Sequence, residues 1–140
     1  MRWSNRRTQS ARTCDSNLRK ETITMTNVYA PEDIVWHETD LGQNFWISDD
    51  LVGARYSTLF SAQLTKFGPG GGSPPHHHGY NHAFYFLTGI GCVRIGDQTW
   101  PITPGSFVKV PANAEHNLTN TGNDDLVFLV IYDPPHVATD

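Results

Sequence analysis

Four of the seven histidines lie within seven residues, at His76, His77, His78 and His82. Neutral imidazole is a common protein ligand for zinc, iron, nickel and copper. On an extended strand His76 and His78 point to one face and His77 to the other. Gly79-Tyr80-Asn81 makes a short turn that can return His82 beside the pair. This stretch therefore offers three ligands. A fourth candidate is His116, which follows a turn over Pro111 to Ala114. The competing reading is a solvated histidine patch or an affinity-tag remnant. A tag is longer and terminal, whereas this cluster is internal and runs into a patterned strand.

The supply of ordinary catalytic groups is thin. Glu115 adjoins His116, and adjacent residues on a strand face opposite ways. No Ser-His-Asp pattern and no phosphate-binding loop is present. The chemistry on offer is what a bound metal does: polarise a carbonyl, stabilise an enolate, or activate water or dioxygen. Four imidazoles leave the full double charge on a divalent ion, which strengthens it as a Lewis acid. A closed four-ligand zinc site with a purely structural role is the alternative.

Short apolar strands must position these residues. Phe45-Trp46-Ile47-Ser48 reads as a strand. Arg55 to Phe67 is the longest strand candidate, and Gly68-Pro69-Gly70-Gly71-Gly72 is expected to break it. Tyr56, Phe60, Ala62 and Leu64 share one parity; Ser57, Ser61, Gln63 and Thr65 share the other. Which face lines the interior is left open. His82 to Leu87 is a strand, and an inward His82 carries Phe84 and Phe86 inward with it by the period of two. Further strands follow over Cys92 to Ile95, Thr99 to Ile102, Phe107 to Val110, His116 to Thr119 and Leu126 to Tyr132, separated by turns. No long window has helical periodicity. The fold class is all-β, a barrel or sandwich. Lone His37 reads as a surface or packing residue, and His136, beyond Pro134-Pro135, as a tail residue without a role.

At 140 residues the chain suits one domain. Met1 to Thr24 holds six of the ten basic residues and little apolar pattern. It reads as a basic, disordered extension, with a transit peptide as the other possibility and 25–140 as the single domain. Residues 25–140 hold four basic and twelve acidic residues, which argues against nucleic acid or an anionic membrane as partner. The longest apolar run, Leu126 to Tyr132, is far too short for a membrane span. Cys14 and Cys92 have no metal-type spacing, and two unpaired thiols suit a reducing cytoplasm.

Taken together, the two histidine stretches resemble the two motifs of the cupin superfamily. Gly70, His76, His78, His82 and Gly89 fall at the spacing of the first motif; Gly105, Pro111, Asn113, His116 and Asn120 fall at that of the second. Two departures stand out. Asn113 replaces a turn glycine, a mild change because Asn tolerates positive φ. His82 replaces the family's glutamate, exchanging an anionic ligand for a neutral one and disfavouring manganese.

The resemblance implies a cupin jelly roll, with His76, His78, His82 and His116 around one divalent metal. Zinc is the expected ion, with iron or nickel as alternatives. It narrows further to the small zinc-dependent cupin cyclases of aromatic polyketide and antibiotic biosynthesis. There the ion chelates adjacent carbonyl oxygens of a poly-β-ketone and acidifies the methylene between them. Water or hydroxide on the ion, or a side chain such as Gln63, Ser61 or Tyr132, takes the proton before aldol closure. Phe84, Phe86, Phe107, Tyr56, Phe60 and Phe128 are the candidate pocket, suited to a flat, oxygenated, small-molecule substrate. An all-histidine iron dioxygenase acting on a diketone or thiol is the alternative, and a non-catalytic binding protein is a third. A homodimer is expected, because a second copy often covers the exposed edges of such small barrels.

Overall fold

The computed structural model describes residues 26–136. The basic segment 1–24, with Cys14, lies outside them. One 3-10 turn, Pro31–Asp33, is followed by nine strands: β1 Trp36–Thr39, β2 Gln43–Ser48, β3 Ser61–Gly72, β4 Asn81–Thr88, β5 Gly91–Ile95, β6 Gln98–Ile102, β7 Phe107–Val110, β8 His116–Asn120 and β9 Leu126–Asp133. They form one curled sheet in the order β6-β5-β8-β3-β9-β4-β7, extended by β2 on β3 and β1 on β2. Every pairing is antiparallel. The expected all-β jelly roll is the fold.

The alternation of β4 decides which side is inside. His82, Phe84 and Phe86 are buried, while Tyr85 and Leu87 are exposed, as period two requires. Phe128 on β9 sits at the centre, with ring centroids 5.3 Å from Phe67, 5.4 Å from Phe84 and 4.9 Å from Phe86. Val93, Val108, Val110, Leu118 and Leu126 close around these rings. Burying each such side chain contributes about 1.5–3 kcal/mol.

The long strand differs from expectation at both ends. Arg55 to Phe60 is not strand: the N–H groups of Tyr56 and Ser57 both donate to the Gly53 carbonyl, at 2.9 and 3.1 Å, and turn the chain. The strand starts at Ser61 and continues through the glycines to Gly72. Those glycines allow close approach instead of ending the strand. A Cβ on Gly72 would lie 2.3 Å from the Leu118 carbonyl oxygen, so only glycine lets β3 meet β8 there. The polar parity turns inward: Ser61, Gln63 and Thr65 are buried, and Leu64 lies on the outer face. β1, absent from the sequence reading, forms by pairing with β2, Trp36 opposite Ser48.

Candidate metal centre

The site is assembled where the loop after β3, the start of β4, the start of β8 and the end of β9 meet. His76 and His116 face each other as an isolated antiparallel bridge, exchanging both backbone hydrogen bonds at 3.0 and 2.9 Å. The Asn113 N–H donates to the His78 carbonyl at 2.6 Å. Asn113 has φ 68°, the left-handed turn conformation that Asn tolerates. The two histidine stretches are thus joined by backbone before any side chain is considered.

The imidazoles converge. Ligand atoms of His76, His78 and His116 lie within 4.8 Å of one another. The Nδ1 atoms of His76 and His116 sit 2.6 Å from the Pro74 carbonyl and 2.8 Å from the Ala114 carbonyl. A carbonyl oxygen only accepts, so each Nδ1 carries the proton and each Nε2 keeps its lone pair. This backbone support is the usual device that orients a metal-binding imidazole. His116 is buried, and its Nε2 has no hydrogen-bond partner. An orphaned, lone-pair-bearing nitrogen inside a barrel is what a divalent ion would satisfy, and the donor set suits zinc, iron or nickel.

His82 lies beside this group but outside that 4.8 Å set. Its ring is buried, and neither nitrogen has a partner. Its centroid is 4.8 Å from His78 and 5.4 Å from His116. Burial, then the neighbouring histidines, push His78 down to about 4 and His82 down to about 3. Burial also lowers His116, against the opposing pull of its bond to Ala114. His78, His82 and His116 are therefore neutral at pH 7, the form that binds a metal.

These histidines floor a cavity of about 380 Å³. Its walls are mainly apolar and include Phe45, Phe67, Phe84, Phe128, Leu118 and Val130. No carboxylate, lysine or arginine lines it among the described residues. Phe84 and Phe128 of the expected pocket are in the wall. The other four are elsewhere. Phe86 is fully buried in the core, away from the cavity. Phe107 points outward from β7 and is 56% exposed. Tyr56 is 67% exposed in the turn that replaced the start of the strand, and Phe60 stands outside the cavity. Gln63 and Tyr132 line the cavity, whereas Ser61 is buried beyond it, its Oγ accepting the His136 N–H at 2.8 Å.

Tyr80 and His136 are among the wall residues that were not foreseen. Tyr80 makes a triangle of nearly parallel rings with His78 and His82, at centroid spacings of 4.8 to 4.9 Å. The signal was available, because positions 78, 80 and 82 share one parity. His136 is not an idle tail residue: it lines the cavity, its ring 5.2 Å from Tyr132. Proline-rich chain ends give no periodicity to follow. His37 is at the surface, paired with Asp49 at 2.8 Å, and His77 is exposed and off the cavity.

Residues 63–132, half of the chain, match the cupin domain family. The chain is a cupin. Over 83 residues this cupin is 31% identical to auxin-binding protein 1 of Arabidopsis thaliana, covering 53% of this chain and 42% of that one. Over 90 residues it is 27% identical to L-ectoine synthase of Vibrio campbellii, covering 64% and 66%. The chain thus spans less than two thirds of the length of either relative. Among solved structures, the polyketide cyclase RemF from Streptomyces resistomycificus superposes with a TM-score of 0.69 at 20% identity, covering 78% of this cupin and 80% of RemF. That likeness is one of fold. Three grouped histidines that could bind a metal are what the cupin family leads one to expect. No helix among the described residues is long and apolar enough to cross a membrane.

Proposed function

We propose that this cupin is a metal-dependent enzyme that closes a ring in a poly-β-ketone by aldol chemistry. The observation behind this reading is the placement of three mutually close imidazoles at the floor of a cavity of about 380 Å³ with no carboxylate, lysine or arginine in its described wall. Such a cavity suits a flat, uncharged, oxygen-rich molecule. The shared fold with a polyketide cyclase supports the assignment.

His76, His78 and His116 would hold the ion, and His82 is proposed as the fourth ligand because both its nitrogens are buried without partners. Zinc is the proposed metal. When bound, it supplies Lewis acidity that acidifies a methylene between two carbonyls. The chain does the rest. Pro74 and Ala114 carbonyls fix two imidazoles in the metal-binding tautomer. Phe84 and Phe128 offer flat apolar contact and exclude water from the floor. Cys92 is a free thiol, in keeping with a cytoplasmic setting.

The test is metal content by mass spectrometry on untagged protein purified without added metal, followed by incubation with a 1,3,5,7-tetraketone, in which a methylene between two carbonyls can close a six-membered ring. About one zinc per chain and a ring-closed, dehydrated product formed equally well without oxygen are expected. No product from fully loaded protein would sink the proposal. A second reading draws on the same triad. Three grouped histidines would leave half the positions of a six-coordinate iron open, as a dioxygenase of diketones or thiols needs. Iron in the purified protein with oxygen uptake would select it. Saturable binding without turnover would favour a binding protein, the role that the name of the auxin-binding relative suggests.

A further inference from the structure

We infer that Tyr132, held by Gln63, is a fixed hydrogen-bond donor that selects ligands carrying an acceptor oxygen at the wall of the cavity beside the histidines. Gln63 pairs with Val130 and Tyr132 pairs with Ser61 across β3 and β9. Gln63 and Tyr132 are therefore diagonal neighbours on the inner face, within reach of each other. The Gln63 amide Nε2 donates to the Tyr132 hydroxyl oxygen at 3.1 Å, and both residues line the cavity.

The direction of that bond is what matters. A phenol oxygen can both accept and donate. Gln63 occupies its acceptor side. No described residue accepts the phenol's own hydrogen. That hydrogen is therefore available to the cavity, in a wall that is otherwise mainly apolar. The ring cannot easily turn away. It is held by His82 at 5.1 Å, His136 at 5.2 Å and Tyr80 at 5.9 Å. A preset donor of this kind, in a site that excludes water, contacts a carbonyl oxygen and strengthens as charge develops there. The inference rests on the proposed function only in taking that oxygen to be a ketone or enolate oxygen of the substrate.

The probe pair is 1-indanone and indane, matched in shape but differing in the acceptor oxygen. Dissociation constants are measured by calorimetry or ligand-observed NMR on zinc-loaded full-length protein, wild type and variants. Wild type should prefer the ketone. Tyr132→Phe removes only the hydroxyl and should cut that preference about tenfold, the scale of one buried hydrogen bond. Any preference arising at the metal is common to both proteins and cancels. Gln63→Glu should give the same loss, because a carboxylate captures the phenol hydrogen; metal content and thermal midpoint report that each variant is folded. An unchanged preference in either variant overturns the inference, and so does a wild type that binds neither probe. Indanone is not a polyketide, so this selectivity can be read whether or not ring closure is observed. A wild type that cyclises the tetraketone at a rate Tyr132→Phe does not alter would sink the inference and leave the proposed function standing.

Discussion

His76 and His116 exchange both of their backbone hydrogen bonds, at 3.0 and 2.9 Å, across forty positions of chain. That bridge makes the metal-binding geometry a property of the sheet. The two imidazoles it presents are then fixed in tautomer by the carbonyls of Pro74 and Ala114, each two residues upstream. Little is left for a bound ion to organise, as the proposed catalytic role of the metal requires.

His82 and His77 should respond oppositely to truncation. His82→Ala removes a buried ring with two unpartnered nitrogens, and zinc affinity should fall by at least the 10–100-fold, in round terms, that losing an outer partner of a metal ligand costs. His77→Ala removes an exposed ring outside the cavity and should leave affinity unchanged. Competition with a fluorescent zinc chelator measures both. Unchanged zinc binding in His82→Ala would restrict the ligand set to His76, His78 and His116.

Stability of the metal-free protein should fall as the solution is acidified. His78 and His82 have folded pKa values of about 4 and about 3, below the ordinary 6.5 of an unfolded imidazole. Between those values the unfolded chain binds protons that the folded chain refuses. Stability is therefore fully present above the unfolded value and is lost as pH falls through the window toward the folded values. Urea unfolding in the presence of a chelator should show the midpoint dropping from pH 7.5 to pH 4.5, with a smaller drop in His82→Phe. A midpoint constant over that range would show that these rings are accessible to protons.

Two phenylalanines on the same sheet should differ sharply. Phe128 is 2% exposed among three other rings, and Phe128→Ala should cost about 3–5 kcal/mol. Phe107 is 56% exposed on the outer face, and Phe107→Ala should change monomer stability by no more than about 0.5 kcal/mol. Denaturant titration separates the two.

The outer face also bears on assembly. Leu64, Leu129, Tyr85 and Phe107 are register partners in one row across β3, β9, β4 and β7. We propose that a second copy covers this row in a two-fold dimer. Sedimentation velocity at micromolar concentration should show a dimer for wild type and a monomer for Tyr85→Glu. A monomeric wild type removes the proposal.

The histidine spacing, the period of two in β4 and the turn chemistry around Asn113 are local properties, and the sequence alone determined them. His76 and His78 on one parity, Phe84 and Phe86 buried with His82, and the all-β class follow from neighbours a few positions apart, while the jelly roll was implied by the resemblance of the two histidine stretches to the cupin motifs. Tertiary structure decided what depends on distant partners. Gly72 continues a strand because β8 needs room for its backbone at Leu118. Gln63 and Thr65 face inward, although polar, because β9 pairs on one side of β3 and the cavity opens beneath it. Phe107 and Tyr56 read as lining residues by type, yet β7 pairs with β4 in a register that turns Phe107 outward, and the Gly53 carbonyl draws Tyr56 into a turn. His136 reaches the cavity only because its N–H finds Ser61, seventy-five positions earlier. Residue type and spacing encode which side chains can do chemistry; which of them share one cavity is set by strand pairing between distant segments, and no local pattern carries it.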